Sequence, residues 1–255
     1  MLTHEVDIAF SPQSRVGSLA VSDDGKIIAW SESDQSVNIS VEMEKAQKIS
    51  IESDVKGIFF QDNNLIYADD DFGVKCVDTS GETIWQCEIQ GGVSLLQKCQ
   101  DFIAVVDNLG RLSTLSHHGN SLKSFDQFTS IIMILPYSNG VIVVLESGSV
   151  HFFDGQHSVW NRPARGEVGE SITNVGLTAE NKLIIGREGY ALVPGEEEAL
   201  ELEVWDVTQD SMLFRCEIKN RLLLACDDNK ITYLGFDDGS VPVSYTHLRA
   251  HETAR

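Results

Sequence analysis

Residues 55–89 read VKGIFFQDNNLIYADDDFGVKCVDTSGETIWQCEI, and the fold follows from how this stretch divides. Four short runs rich in β-branched and apolar residues are separated by Asp62-Asn63-Asn64, Asp69-Asp70-Asp71 and Thr79-Ser80-Gly81. Asp, Asn and Gly tolerate the positive backbone torsions of tight turns, so the runs read as strands joined by hairpins. The second run, LIYA at 65–68, is continuously apolar. A run that short, bounded by turns, is a strand covered on both faces and is too short for a helix.

Outward from this stretch the same plan returns about every 40 residues, a spacing that suits four strands per unit. First strands are expected near Val16, Val55, Val93, Ile131, Ile172 and Met212. Second strands are the most regular: IIAW at 27–30, FIAVV at 102–106, VIVVL at 141–145, LIIG at 183–186 and LLLAC at 222–226. Third strands, starting at Val37, Val74, Arg111, Ser149, Tyr190 and Lys230, alternate better. Fourth strands such as TIWQCEI and LEVWDV carry the polar insertions of a water-facing edge. These features predict an all-β protein, a β-propeller of four-stranded antiparallel blades. Six blades are visible, either complete or as a fragment of a seven- or eight-bladed ring. A single domain is expected over 1–240, with residues 5–10 as a closing strand. Residues 241–255 are basic, histidine-bearing and outside the pattern, and are read as a non-native tail with the natural chain continuing past Ser240.

Two groups of propellers share pieces of this sequence. DTSGETIW, with Asp78, Gly81 and Trp85, resembles the turn-and-tryptophan motif of quinoprotein-like repeats, and Asp154-Gly155 followed by Trp160 is a looser copy. SDDGKIIAW at 22–30 resembles the first hairpin of WD-repeat propellers. A Trp205-Asp206 pair exists, but the period places it on a fourth strand, whereas the WD signature ends the third. The resemblance implies a quinoprotein-like or WD-repeat-like propeller and transfers no catalytic residue. Quinone-dependent relatives are secreted and several use adjacent cysteines; neither an export signal nor a Cys-Cys pair is found.

The chain has 39 acidic and 19 basic residues, a net charge of −20. Nucleic acid and anionic membrane are disfavoured as partners, because both are held by cationic side chains. Five cysteines without a C-x-x-C pair suit a reduced, cytoplasmic setting with buried thiols. His117-His118 and Asp69-Asp70-Asp71 lack metal-ligand spacing and read as turns. No nucleophile motif appears, so no enzyme and no cofactor is expected. One pattern recurs in every unit: an acid in the turn between second and third strands. These are Glu32, Asp34, Asp69, Asp70, Asp71, Asp107, Glu146, Glu188, Asp227 and Asp228. In a propeller such turns open on one face, so they predict a carboxylate-lined surface for a basic protein or peptide. A non-enzymatic interaction scaffold is therefore expected. The alternative is a quinoprotein-like enzyme with a cofactor or substrate in its channel.

Overall fold

The computed structural model describes residues 12–51, 53–120, 122–165, 170–189, 199–227 and 231–245. Among them are six antiparallel sheets, five of four strands and a sixth of three, with strands in sequence order within each sheet. No helix among the described residues is long and apolar enough to cross a membrane. The chain divides into two compact units, 1–130 and 131–255.

In the first unit the sheets begin at Val16–Val21, Val55–Gln61 and Val93–Lys98. The second sheet continues through Asn64–Asp69, Gly73–Val77 and Thr83–Glu88, the four runs of the 55–89 stretch. Its first hairpin pairs Gln61 with Asn64 across Asp62 and Asn63, both at positive φ, 49° and 65°. That is the torsion pair a tight two-residue hairpin needs. The second strands are buried because neighbouring sheets stack on them. Ile66 and Ala68 of the second sheet share a core with Ile103, Val105 and Leu115 of the third. Ile27, Ala29, Val37 and Ile39 of the first meet Phe60, Leu65 and Tyr67 of the second.

The second unit repeats this construction. Its sheets begin at Ile131–Tyr137, Glu170–Leu177 and Leu222–Asp227. Ile142 and Val144 of the fourth sheet pack with Leu183 and Ile185 of the fifth, and Ile184, Leu202 and Val204 pack with Leu222 of the sixth. In all six sheets a β-bulge interrupts the pairing of first and second strands, as between Val55 and Gly57 or Ile172 and Asn174. A bulge adds right-handed twist, and twisted blades stack face to face as a propeller requires.

The last two repeats differ from the sequence-based register. Ser211–Glu217 is not the first strand of the sixth sheet but the fourth strand of the fifth. The third strand of the fifth sheet is Leu200–Asp206, paired with Leu183–Gly189. The expected third strand at Tyr190 lies outside the described residues, as does the expected closing strand at residues 5–10. The sixth sheet starts at Leu222, so LLLAC is a first strand, followed by Ile231–Phe236 and Val243–Tyr245. Residues 243–245, assigned from sequence to a tail outside the fold, pair with residues 231–233. The period slipped because the second-to-third connection of the fifth sheet is long and contains a strand-like YALV.

First strands of the first and second, second and third, and fifth and sixth sheets approach closely, and glycine marks two of these contacts, at Gly57 and Gly176. A Cβ built on Gly176 would lie 2.4 Å from both the Cβ and the carbonyl oxygen of Ala225 in the sixth sheet. Gly176→Ala is therefore expected to destabilise the second unit by about 1–3 kcal/mol, the usual cost of overpacking. Urea unfolding curves for variant and parent would measure it.

Candidate functional site

In the first five sheets the acids predicted to line one face sit at or just after the ends of their second strands, but many are committed within the fold. The buried carboxylate of Glu32 accepts from Trp30 Nε1 (2.8 Å), Asn38 Nδ2 (3.1 Å) and the backbone N–H groups of Gln13 (3.0 Å) and Ser14 (2.9 Å). Burial pushes its pKa up, and these hydrogen bonds outweigh burial, leaving it below the ordinary value. Asp69, also buried, accepts from the backbone N–H of Phe72 (2.5 Å) and Gly73 (3.3 Å) and pairs with Lys75 (3.4 Å). Asp107 accepts from the N–H of Leu109 and Arg111 (2.9 Å each) and from Arg111 Nε (2.7 Å). These three carboxylates build their turns.

The others are more open. Asp34 accepts from Ser36 Oγ (2.6 Å) and Lys48 Nζ (2.5 Å), and the lysine contact chiefly holds its carboxyl below the usual range. Asp70 accepts from Asn108 Nδ2 (2.7 Å) and pairs with Lys56 (3.6 Å). Asp71 and Glu146 are exposed, and neither carboxylate has an ion-pair partner among the described residues. Glu188 pairs with Arg221 (2.6 Å). One predicted member falls elsewhere and another is not described. Asp227 ends a first strand, so it lies at the opposite end of its sheet from the second-to-third turns, and Asp228 is outside the described residues. The acids of the sixth sheet's second-to-third turn are Asp237 and Asp238. Asp238 accepts from Ser240 N–H (2.9 Å) and Asn220 Nδ2 (2.7 Å).

Turns between third and fourth strands use acids the same way. Asp78 accepts from the N–H of Ser80 (2.8 Å) and Glu82 (2.9 Å), and Asp154 from those of Gln156 (2.8 Å) and His157 (2.7 Å). Asp206 accepts from Thr208 and Gln209 N–H (3.1 Å each) and from Lys182 Nζ (2.6 Å), which holds its pKa at about 2. Trp205-Asp206 thus ends a third strand, the position that the WD signature occupies, and not a fourth.

A charged cluster that sequence reasoning missed lies in the second unit. Arg162 ends the fourth sheet's last strand, and its guanidinium clasps Glu203 through Nε (3.0 Å) and Nη2 (2.9 Å). Its Nη1 donates to Glu170. Arg187 donates to Glu170 and Glu201, and Arg215 Nε donates to Glu201 (2.9 Å). Arg165 Nη1 stands 3.2 Å from Glu203, and Trp205 Nε1 donates to Glu203 (2.7 Å). Arg162, Glu170 and Glu203 are buried. Burial pushes Glu203 up, and Arg162 and Trp205 outweigh that and hold it below the ordinary carboxylate value. The signal available in sequence was the Glu201-Leu202-Glu203 alternation, which puts two acids on one strand face.

The remaining candidates stay quiet. His117 bonds the carbonyl of Gln100 (3.1 Å), and no group of three His, Cys, Asp or Glu able to hold a metal occurs among the described residues. All five cysteines are free. Burial pushes Cys76 to about 11 and Cys99 to about 12, whereas Cys226 is exposed, against the expectation of uniformly buried thiols.

Comparison with known proteins agrees with the fold. A family of unknown function (DUF5711) matches residues 34–158. No curated protein matches. Among solved structures, the WD40 β-propeller domain of Doa1 is similar with a TM-score of 0.65 at 12% identity, over 93% of this chain and 81% of that one. BamB from Moraxella catarrhalis is similar with a TM-score of 0.59 at 12% identity, over 95% and 87%. A chain of the S. cerevisiae complex of Dbp5 with Nup159 and Gle1 gives 0.65 at 11% identity, over 92% and 74%. The protein is a β-propeller, like WD-repeat and quinoprotein-like propellers in fold.

Proposed function

We propose that this protein is a non-enzymatic interaction platform whose second-to-third turns hold a basic protein or peptide segment. The reading rests on one observation: within each unit, turns between second and third strands carry exposed carboxylates, Asp71 in the first unit, Glu146 and Asp237 in the second. Within each unit, rigid sheets keep such turns in fixed positions, which is what a multi-contact surface needs. The chain's charge of −20 adds a long-range attraction for cations that salt screens. The WD40 neighbour is consistent with an interaction role. Nucleic acid and membrane surfaces are unsuited to this charge, and a reduced cytoplasmic setting suits five unpaired thiols.

A lysine-rich peptide is the probe. Its affinity is expected to fall steeply with ionic strength and to drop severalfold in Asp71→Asn/Glu146→Gln, measured by titration calorimetry. Binding indifferent to both salt and the substitution would overturn the reading.

A further inference from the structure

Among the described residues, the charged cluster of the fifth sheet holds more cation than anion. Four guanidiniums, Arg162, Arg165, Arg187 and Arg215, meet three carboxylates, Glu170, Glu201 and Glu203, among the described residues. Glu217, opposite Glu201 in the sheet, is exposed and forms no ion pair among the described residues. A surplus cation in a partly buried cluster is costly unless a counter-charge reaches it. It is an odd surplus in so acidic a chain.

The surplus sits at the solvent side. Arg162 and Arg187 are buried and saturated by glutamates. Arg165 and Arg215 keep side-chain exposures of 28% and 44%. Arg215 uses Nε and Nη2 on Glu201. Arg165 Nη1 shares Glu203 (3.2 Å), already clasped by Arg162, and stands at the long distance of 3.9 Å from Glu201, already held by Arg187 and Arg215; among the described residues its Nη2 reaches the Met212 sulfur at 3.6 Å, a weak acceptor. Burial and the cations of Arg162, Arg215 and Arg187 push the Arg165 pKa down, against the pull of Glu203. Met212 is itself 42% exposed and gives the position an apolar floor.

We propose that Arg165 and Arg215 form a docking position for one carboxylate, presented by an acidic side chain of a partner peptide. The planar forks of two guanidiniums suit a carboxylate's paired oxygens. One carboxylate would bring the cluster to four charges of each sign. This position recognises the opposite charge from the acidic turns and stands independently of them.

The probe is a short acetylated, amidated peptide of glutamate and leucine, titrated against the full chain by calorimetry. Arginine side-chain Nε–Hε resonances are followed in parallel. Binding is expected to shift the Arg165 and Arg215 signals. Arg165→Gln is expected to weaken binding about tenfold, the scale of a charge-assisted hydrogen bond. Arg221→Gln, an exposed cation of the same unit paired with Glu188, should leave it unchanged. Equal loss in Arg221→Gln, or none in Arg165→Gln, would overturn the proposal. So would equal affinity for the glutamine version of the peptide, or binding that appears only after Glu167→Gln, which would assign the position to the chain's own acid.

Discussion

Arg162→Met should cost the second unit about 3–5 kcal/mol of stability, because it strips a shared partner from fully buried carboxylates. Glu170 and Glu203 are both 0% exposed, and Arg162 is one of the largest fully buried side chains in the chain. The methionine fills a similar volume, so packing is largely kept and the loss is electrostatic. Restoring balance with Arg162→Met/Glu203→Leu should recover part of the loss, since an apolar pair carries no desolvation cost. Urea unfolding followed by Trp160 and Trp205, whose rings stack edge-on at 5.7 Å, would read both variants. Acid sensitivity gives a second readout. Glu201 and Glu203 are held below the ordinary glutamate value by the guanidiniums around them. Depressed carboxylates contribute stability that is complete above the unfolded value and is lost as pH falls through the folded one. The parent should therefore lose stability progressively below about pH 4.5, and Arg162→Met should show a shallower decline over the same window. A variant as stable as the parent at neutral pH would mean that the cluster is not buried as described.

Most of the blade plan is written in local pattern, and its one failure has a physical cause. Strands starting at Val16, Val55, Val93 and Ile131 are where the repeat puts them, because each second strand is an apolar run bracketed by Asp, Asn or Gly. In the fifth sheet the buried third strand carries Glu201 and Glu203, and acids read as a water-facing edge. Their burial depends on Arg162, contributed by a different sheet and 41 residues from Glu203. No periodicity in the strand itself reports such a partner. The same slip assigned Asp227 to the wrong end of the sixth sheet and hid Asp237 and Asp238. Within the turns, the presence of acids was legible, but their availability was not. Asp34 is taken by Lys48 of its own sheet's last strand, and Asp70 by Asn108 of the next sheet. Among the described residues, the side chains of Asp71 and Glu146 have no such neighbour.

Ile103→Ala should cost the first unit about 2–5 kcal/mol, through lost transfer energy and the cavity left behind. Ile103 lies in the second strand of the third sheet and is 0% exposed. Its core is shared with the second sheet through Ile66, Ala68, Val74 and Cys76. A single four-stranded sheet cannot cover both of its faces, so this burial exists only because the sheets stack. Ile103→Val, which removes one methylene, should cost about 0.5–1.5 kcal/mol. Leu109→Ala, in the adjoining turn and 68% exposed, should stay within about 0.5 kcal/mol of the parent. The graded series separates stacking from strand propensity, because valine is as good a strand former as isoleucine. Amide exchange should locate the effect, with Ile103→Ala lowering protection in both Ile103–Asp107 and Asn64–Asp69, since each strand shields the other. Loss of protection in the third sheet alone would mean that the two sheets do not depend on one another, and the stacked-blade account of the first unit would fail with it.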